Sequence, residues 1–115
     1  MKTYQWHKIA ESVEELPWPQ SGLLQWDVSG KSVCLSKHRD QLRGCAAKCP
    51  HAGARMSEGY HDAMGHIVCP LHRYKFDLQN GRNVSGEGYY LRPYPVEVRE
   101  DGVYVGIEEQ SAFFG

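Results

Sequence analysis

Long apolar runs are missing from this chain: 41% of its 115 residues are hydrophobic, yet no stretch nears the roughly 20 residues of a membrane helix. The opening residues, MKTYQWHKIAESVEELP, are polar and lack the apolar core of a secretion signal. The expectation is a soluble, cytoplasmic protein without a membrane partner. An excess of one charge is missing too. Thirteen basic and 14 acidic residues are mixed along the chain, net charge −1, so nothing suggests a nucleic-acid partner. Internal repeats, linkers and low-complexity tracts are not found, and helical periodicity is scarce. At 115 residues the chain is expected to be one domain, 1–115, with no room for a second, catalytic one. Cys34 and Cys45 are read as free thiols, with a disulfide as the alternative, because no export signal points to an oxidising compartment.

What is present is strand pattern. YQWHKIA (residues 4–10) alternates as a first strand; Ser12 to Leu16 reads as one short turn with Ser12 as cap and Glu15 three residues on, stopped by Pro17. LLQWDV (23–28), Ser29-Gly30 and SVCLS (32–36) read as a hairpin, and QLRGCAA (41–47) follows. His66 to Val68 is a short strand, and KFDL with Asn80-Gly81 predicts another hairpin. Near the end, YPVEVRE and VYVGI are joined at Asp101-Gly102, with Val96, Val98, Val103 and Val105 available to a core. Many short strands and 12 glycines predict an all-β antiparallel sandwich or barrel.

The chemistry is concentrated in CPHAGARMSEGYHDAMGHIVCPLH, residues 49–72, which holds two short pairs, Cys49 with His51 and Cys69 with His72. Thiolate and imidazole are strong transition-metal ligands, and each pair fits one tight loop. In a Cys2His2 zinc finger the cysteines sit together and the histidines together, whereas here each pair is mixed. A structural zinc module stays open as an alternative, as do four unrelated residues. Pro50 and Pro70 stiffen the loops after each cysteine, while Gly53, Ala52 and Ala54 leave room for backbone N–H groups to approach sulfur.

The spacing, C-x-H, 17 residues, C-x-x-H, resembles the Rieske family, at the level of motif over residues 49–76 and at the level of fold over most of the chain. The resemblance implies a Rieske-like fold with a small cluster-binding subdomain of two loops, about 46–76, and a [2Fe-2S] cluster. Cys49 and Cys69 would bind one iron, His51 and His72 the other. It also implies a one-electron carrier, not itself an enzyme, that passes electrons from a reductase to a terminal ring-hydroxylating-type oxygenase. The Rieske-like small subunit of a reductase complex such as nitrite reductase is the second possibility. Gly88 to Pro95 resembles the family's proline-containing loop over the cluster, or else is an ordinary strand connection.

Departures from the family pattern bear on potential. High-potential members carry a loop disulfide where Ala54 and Leu71 stand, and a serine and a tyrosine hydroxyl where Tyr74 and Phe76 stand. Losing those donors destabilises a reduced, more negative cluster, so a potential toward the low end of about −150 to +300 mV is expected. A potential that falls at alkaline pH is expected as well, because the reduced cluster holds the imidazole protons more tightly. Arg73 replaces the usual glycine: either it accepts a costlier backbone or the loop takes another path, and its charge either raises the potential or is screened. His7, His38, His61 and His66 are read as surface or loop residues, and Trp6, Trp18, Trp26 and Met56 as packing.

Overall fold

β-Branched and aromatic residues at every second position suit a pleated, half-buried surface. They line the strands of the computed structural model, which describes residues 3–51, 53–86 and 88–109. β1 (Tyr4–Ala10) is antiparallel to β10 (Gly102–Glu108), whose other edge pairs with β9 (Val96–Arg99). β2 (Leu23–Val28), β3 (Lys31–His38), β4 (Gln41–Ala46) and β8 (Pro93–Tyr94) form a second sheet in that order. A smaller third sheet joins β5 (Tyr60–His61), β6 (Ile67–Val68) and β7 (Lys75–Phe76). Every pairing between these strands is antiparallel, so the fold is all-β as expected. No described helix is long and apolar enough to cross a membrane.

β3 is the partition. Successive side chains on a strand point to opposite faces, so Val33 and Leu35 enter one core with Val28, Tyr94 and Val105, while Cys34 enters another with Met56, Ile67 and Phe76. Four consecutive residues, Val33 to Ser36, are therefore buried. The second core also takes Cys49 and Cys69, which places the two sequence-predicted loops over its outer end. Met56 is a core residue, and Trp18 and Trp26 pack on the rim of the first core, in keeping with their reading as packing.

Ser29 (φ 51°) and Gly30 (φ 83°) both lie in the left-handed region, the mirror-type turn that suits a two-residue hairpin between β2 and β3. Elsewhere the turns differ from the sequence reading. Ser12 precedes a 3-10 turn, Val13–Glu15, but its side chain caps nothing; Glu15 Oε1 instead accepts the Glu11 N–H at 2.9 Å. The last hairpin pairs Arg99 with Gly102, so Glu100-Asp101, not Asp101-Gly102, makes the turn. Val103 and Val105 are buried, but Val98 is 62% exposed because β9 is an edge strand whose end nothing covers.

Candidate metal centre

Two loops of the same backbone geometry carry the four sequence-predicted ligands. In the first, the Cys49 N–H donates to the Ala54 carbonyl at 2.7 Å and the Gly53 N–H to the Cys49 carbonyl at 2.8 Å. In the second, the Cys69 N–H donates to the Tyr74 carbonyl at 2.9 Å and the Arg73 N–H to the Cys69 carbonyl at 3.0 Å. Each loop is closed at its base by an antiparallel pair, Lys48 with Arg55 and Val68 with Lys75. The turn requires a left-handed residue at its last position, filled by Gly53 (φ 72°) and by Arg73 (φ 61°). Of the two courses open to Arg73, the chain takes the costlier backbone and keeps the loop path. The expected Asn80-Gly81 hairpin has this geometry as well. The Asp77 N–H donates to the Arg82 carbonyl at 2.9 Å, the Gly81 N–H to the Asp77 carbonyl at 2.7 Å, and Gly81 has φ 81°.

Depth sorts the ligands by element. Cys49 is 2% exposed and Cys69 0%, sunk in the second core, whereas His51 is half-buried and His72 exposed. The Nδ1 atoms of the two imidazoles face each other at 2.9 Å, with ring centroids 4.5 Å apart. Both thiols thus lie in the second core, and the two imidazoles adjoin each other nearer the surface. Among the described residues no three Cys, His, Asp or Glu side chains group as ligands of one ion. Two sulfur donors below and two nitrogen donors above fit a two-iron unit better than a single ion. The Cβ that residue 53 lacks would meet nothing within 4 Å, so space beside the first loop is open. Ala52, named with Gly53 and Ala54 as making room for sulfur, lies outside the described residues.

The histidines are not equivalent. The His51 ring lies 4.5 Å from Tyr74 and 4.8 Å from Tyr89, centroid to centroid, and the two tyrosine rings stack at 5.9 Å. Among the described aromatic rings, His72 has only Tyr74, at 6.1 Å, besides His51. Tyr89 was not foreseen as part of the site. Its segment does two things: Tyr89 flanks His51, while Leu91 is buried and Pro93 pairs with Cys45 in the second sheet. The hint was the resemblance of Gly88 to Pro95 to a covering loop; which residue would touch an imidazole had no local signature.

His38, His61 and His66, and Cys34 with Cys45, make contacts of their own away from the two loops. His61, read as a surface or loop residue, is half-buried and structural. Its Nε2 lies 2.6 Å from the buried Ser36 hydroxyl, its Nδ1 3.2 Å from the Ser21 carbonyl, and its ring 4.8 Å from His38. Burial, then the neighbouring His38, holds its pKa below the usual 6.5. His66 Nδ1 pairs with Asp62 Oδ2 at 3.1 Å. Burial would raise the Asp62 carboxyl, but hydrogen bonds from the His66 backbone and ring and from the Met64 N–H bring it below 3.8. Cys34 and Cys45 face each other across β3 and β4 as free thiols, and the Cys34 thiol together with burial pushes the Cys45 thiol well up, which makes it inert.

Comparison with known proteins agrees with this geometry. A model of the Rieske [2Fe-2S] domain matches residues 5–94. The ferredoxin component of the naphthalene 1,2-dioxygenase system of Pseudomonas aeruginosa is 29% identical over 90 residues, covering 77% of this chain and 86% of that protein. A chain from the complex of reduced oxygenase and oxidized ferredoxin in carbazole 1,9a-dioxygenase superposes with a TM-score of 0.73 at 27% identity, over 92% of this chain and 96% of that one. A Mycobacterium tuberculosis chain assigned as the small subunit of an NADH-dependent nitrite reductase superposes at 0.79, over 94% and 99% of the two chains; at 20% identity this is a likeness of fold alone.

Proposed function

Because the chain belongs to the Rieske [2Fe-2S] domain family, we propose that Cys49 and Cys69 hold the inner iron of its cluster and His51 and His72 the outer one. The protein is a ferredoxin, a one-electron carrier and not itself a catalyst, working in the cytoplasm between a reductase and a terminal oxygenase. Its relative in Pseudomonas aeruginosa is the ferredoxin component of such a dioxygenase system. Bound, the cluster supplies a one-electron couple within about −150 to +300 mV. The observation that carries the reading is the sorting by depth: two buried thiols beneath two outward imidazoles on loops of one geometry.

The chain's own residues divide the work. The backbone turns present Cys49 and Cys69 to the same core, and burial there excludes water from the sulfur side. His51 and His72 would each use Nδ1 on iron, which leaves the opposite ring edge outward as the exit for an electron. Phe76, fully buried and without a hydroxyl, stands in place of a sulfur-directed donor, so the potential belongs at the low end for this ligation. Residues 46–76 act as a cluster-binding subdomain of a single domain, 1–115. The test is reconstitution with iron and sulfide. The unaltered protein should take up about two of each per chain and bleach with dithionite, and His51→Ala should abolish both. Retention of the visible spectrum in that variant would point to another ligand.

A further inference from the structure

A strand at the edge of a sheet still offers backbone hydrogen bonds to another chain. β9 pairs with β10 on one side and with no described strand on the other. Glu97, Val98 and Arg99 are all exposed, Val98 by 62%. The Gly106 N–H donates to the Pro95 carbonyl at 2.9 Å, and hydrogen-bonded pairs alternate along an antiparallel ladder. Residues 95, 97 and 99 therefore turn their backbone groups to β10, and Val96 and Val98 turn theirs to the free edge. Pro95, which lacks a donor, faces β10 and does nothing to blunt that edge. β1, at the opposite end of the sheet, is interrupted by a register shift between Lys8 and Ala10, a device that natural edges use against pairing. β9 has no such interruption: Val96 to Arg99 run in unbroken register with β10.

We propose that the free edge of β9 pairs with β9 of a second copy of this chain, antiparallel and about a two-fold axis through Val98. Charge selects that register. Centred on Val98, the pairing sets each copy's Glu97 directly opposite the other's Arg99, and the two Val98 residues exchange backbone hydrogen bonds. Centred one residue earlier or later, it would set Glu97 against Glu97 or Arg99 against Arg99, and like charges directly opposite each other are destabilising. Both charges are held in place before a second copy arrives. Arg99 Nε donates to Glu97 Oε1 at 2.9 Å, and its guanidinium stacks on Trp6 at 5.1 Å and on Tyr104 at 4.3 Å. The contact joins two three-stranded sheets into one of six and shields both Val98 side chains. A strand of four residues a side buries less than a permanent interface does, so the dimer is weak and depends on concentration. The inference stands apart from the metal centre and from the carrier reading.

Sedimentation of the whole chain, residues 1–115, between about 10 µM and 1 mM should show a monomer passing into a dimer. The dimer should weaken as salt screens the paired charges. Glu97→Arg alone, or Arg99→Glu alone, should raise the dissociation constant about 30-fold by setting like charges opposite each other. An equimolar mixture of the two variants should regain the affinity of the unaltered chain, because each new side chain then meets its opposite charge. Val98→Lys alters neither charge and sets two ammonium groups side by side on the axis, so it should give a monomer with unchanged circular dichroism. That variant carries the test if loss of the stacking on Trp6 and Tyr104 unfolds Arg99→Glu. A chain that stays monomeric at the top of the concentration range overturns the proposal. So does a dimer that folded Arg99→Glu or Val98→Lys protein still forms with unchanged affinity, since the contact then lies elsewhere.

Discussion

The first cluster loop and the second share a backbone and differ in what is hung on it. Residues 48–55 and 68–75 repeat the same two hydrogen bonds and the same left-handed last position, yet one uses Gly53 there and the other Arg73. One histidine is enclosed by Tyr74 and Tyr89; the other faces solvent. The loop Asp77–Arg82 extends the comparison, because it makes the same turn with a carboxylate where the others have a thiol, and Asp77 Oδ1 accepts the Gln79 N–H at 2.8 Å. The turn therefore folds on backbone hydrogen bonds and a left-handed residue, and the proposed metal binding would be added by the side chains.

The comparison can be broken most severely at the ligands. If both loops contribute equally, His72→Ala should lose the cluster as completely as His51→Ala, read as iron per chain after reconstitution; a variant that keeps half its iron would mean that one loop suffices. The left-handed positions come next. Gly53→Ala meets no steric obstacle, since nothing lies within 4 Å, so its loss of about 1–2 kcal/mol in denaturant unfolding reports backbone strain alone. Arg73→Gly relieves the same strain but loosens the unfolded chain, for a net gain of about 0.5–1 kcal/mol. Equal and opposite changes would not fit that account; the gain must be the smaller.

A finer effect concerns the enclosed imidazole. In cluster-free protein, Tyr89→Ala should raise the reactivity of His51 toward diethyl pyrocarbonate to that of His72, as followed by mass spectrometry. Unchanged reactivity would assign the shielding to Tyr74. The smallest effect lies in the connector between the loops. His61 has a folded pKa below its unfolded 6.5, so the unfolded chain binds the proton more readily. Its contribution is complete above pH 6.5 and is lost as pH falls from there toward the folded value. His61→Gln should flatten that limb of the stability curve, measured as denaturation midpoint against pH, and an unchanged slope would place the effect elsewhere.

The ligand candidates and most strands could be read from residue order because both are local: a Cys-x-His pair and a period of two span a few residues. Turn chemistry was readable where it was strict, as at Ser29-Gly30, and misleading where a glycine served a strand instead, as at Gly102, whose partner Arg99 moved the turn one residue back. Asn80-Gly81 marked a real turn but not its type, because the left-handed residue closes a longer loop held at Asp77. Val98 alternates as a core residue does, and only the edge position of β9 leaves it in water.

Residue identity and spacing alone pointed to the proposed donor set, two thiols and two imidazoles in mixed pairs, and dictated the β character of the chain. Contacts between segments far apart decided the rest. Tyr89 reaches His51 from 38 positions away, and Ser36 holds His61 from the partition strand. The physical reason is range: covalent neighbours set turn and strand preferences, whereas burial, ring packing and net local charge depend on which surfaces the closed sheets bring together.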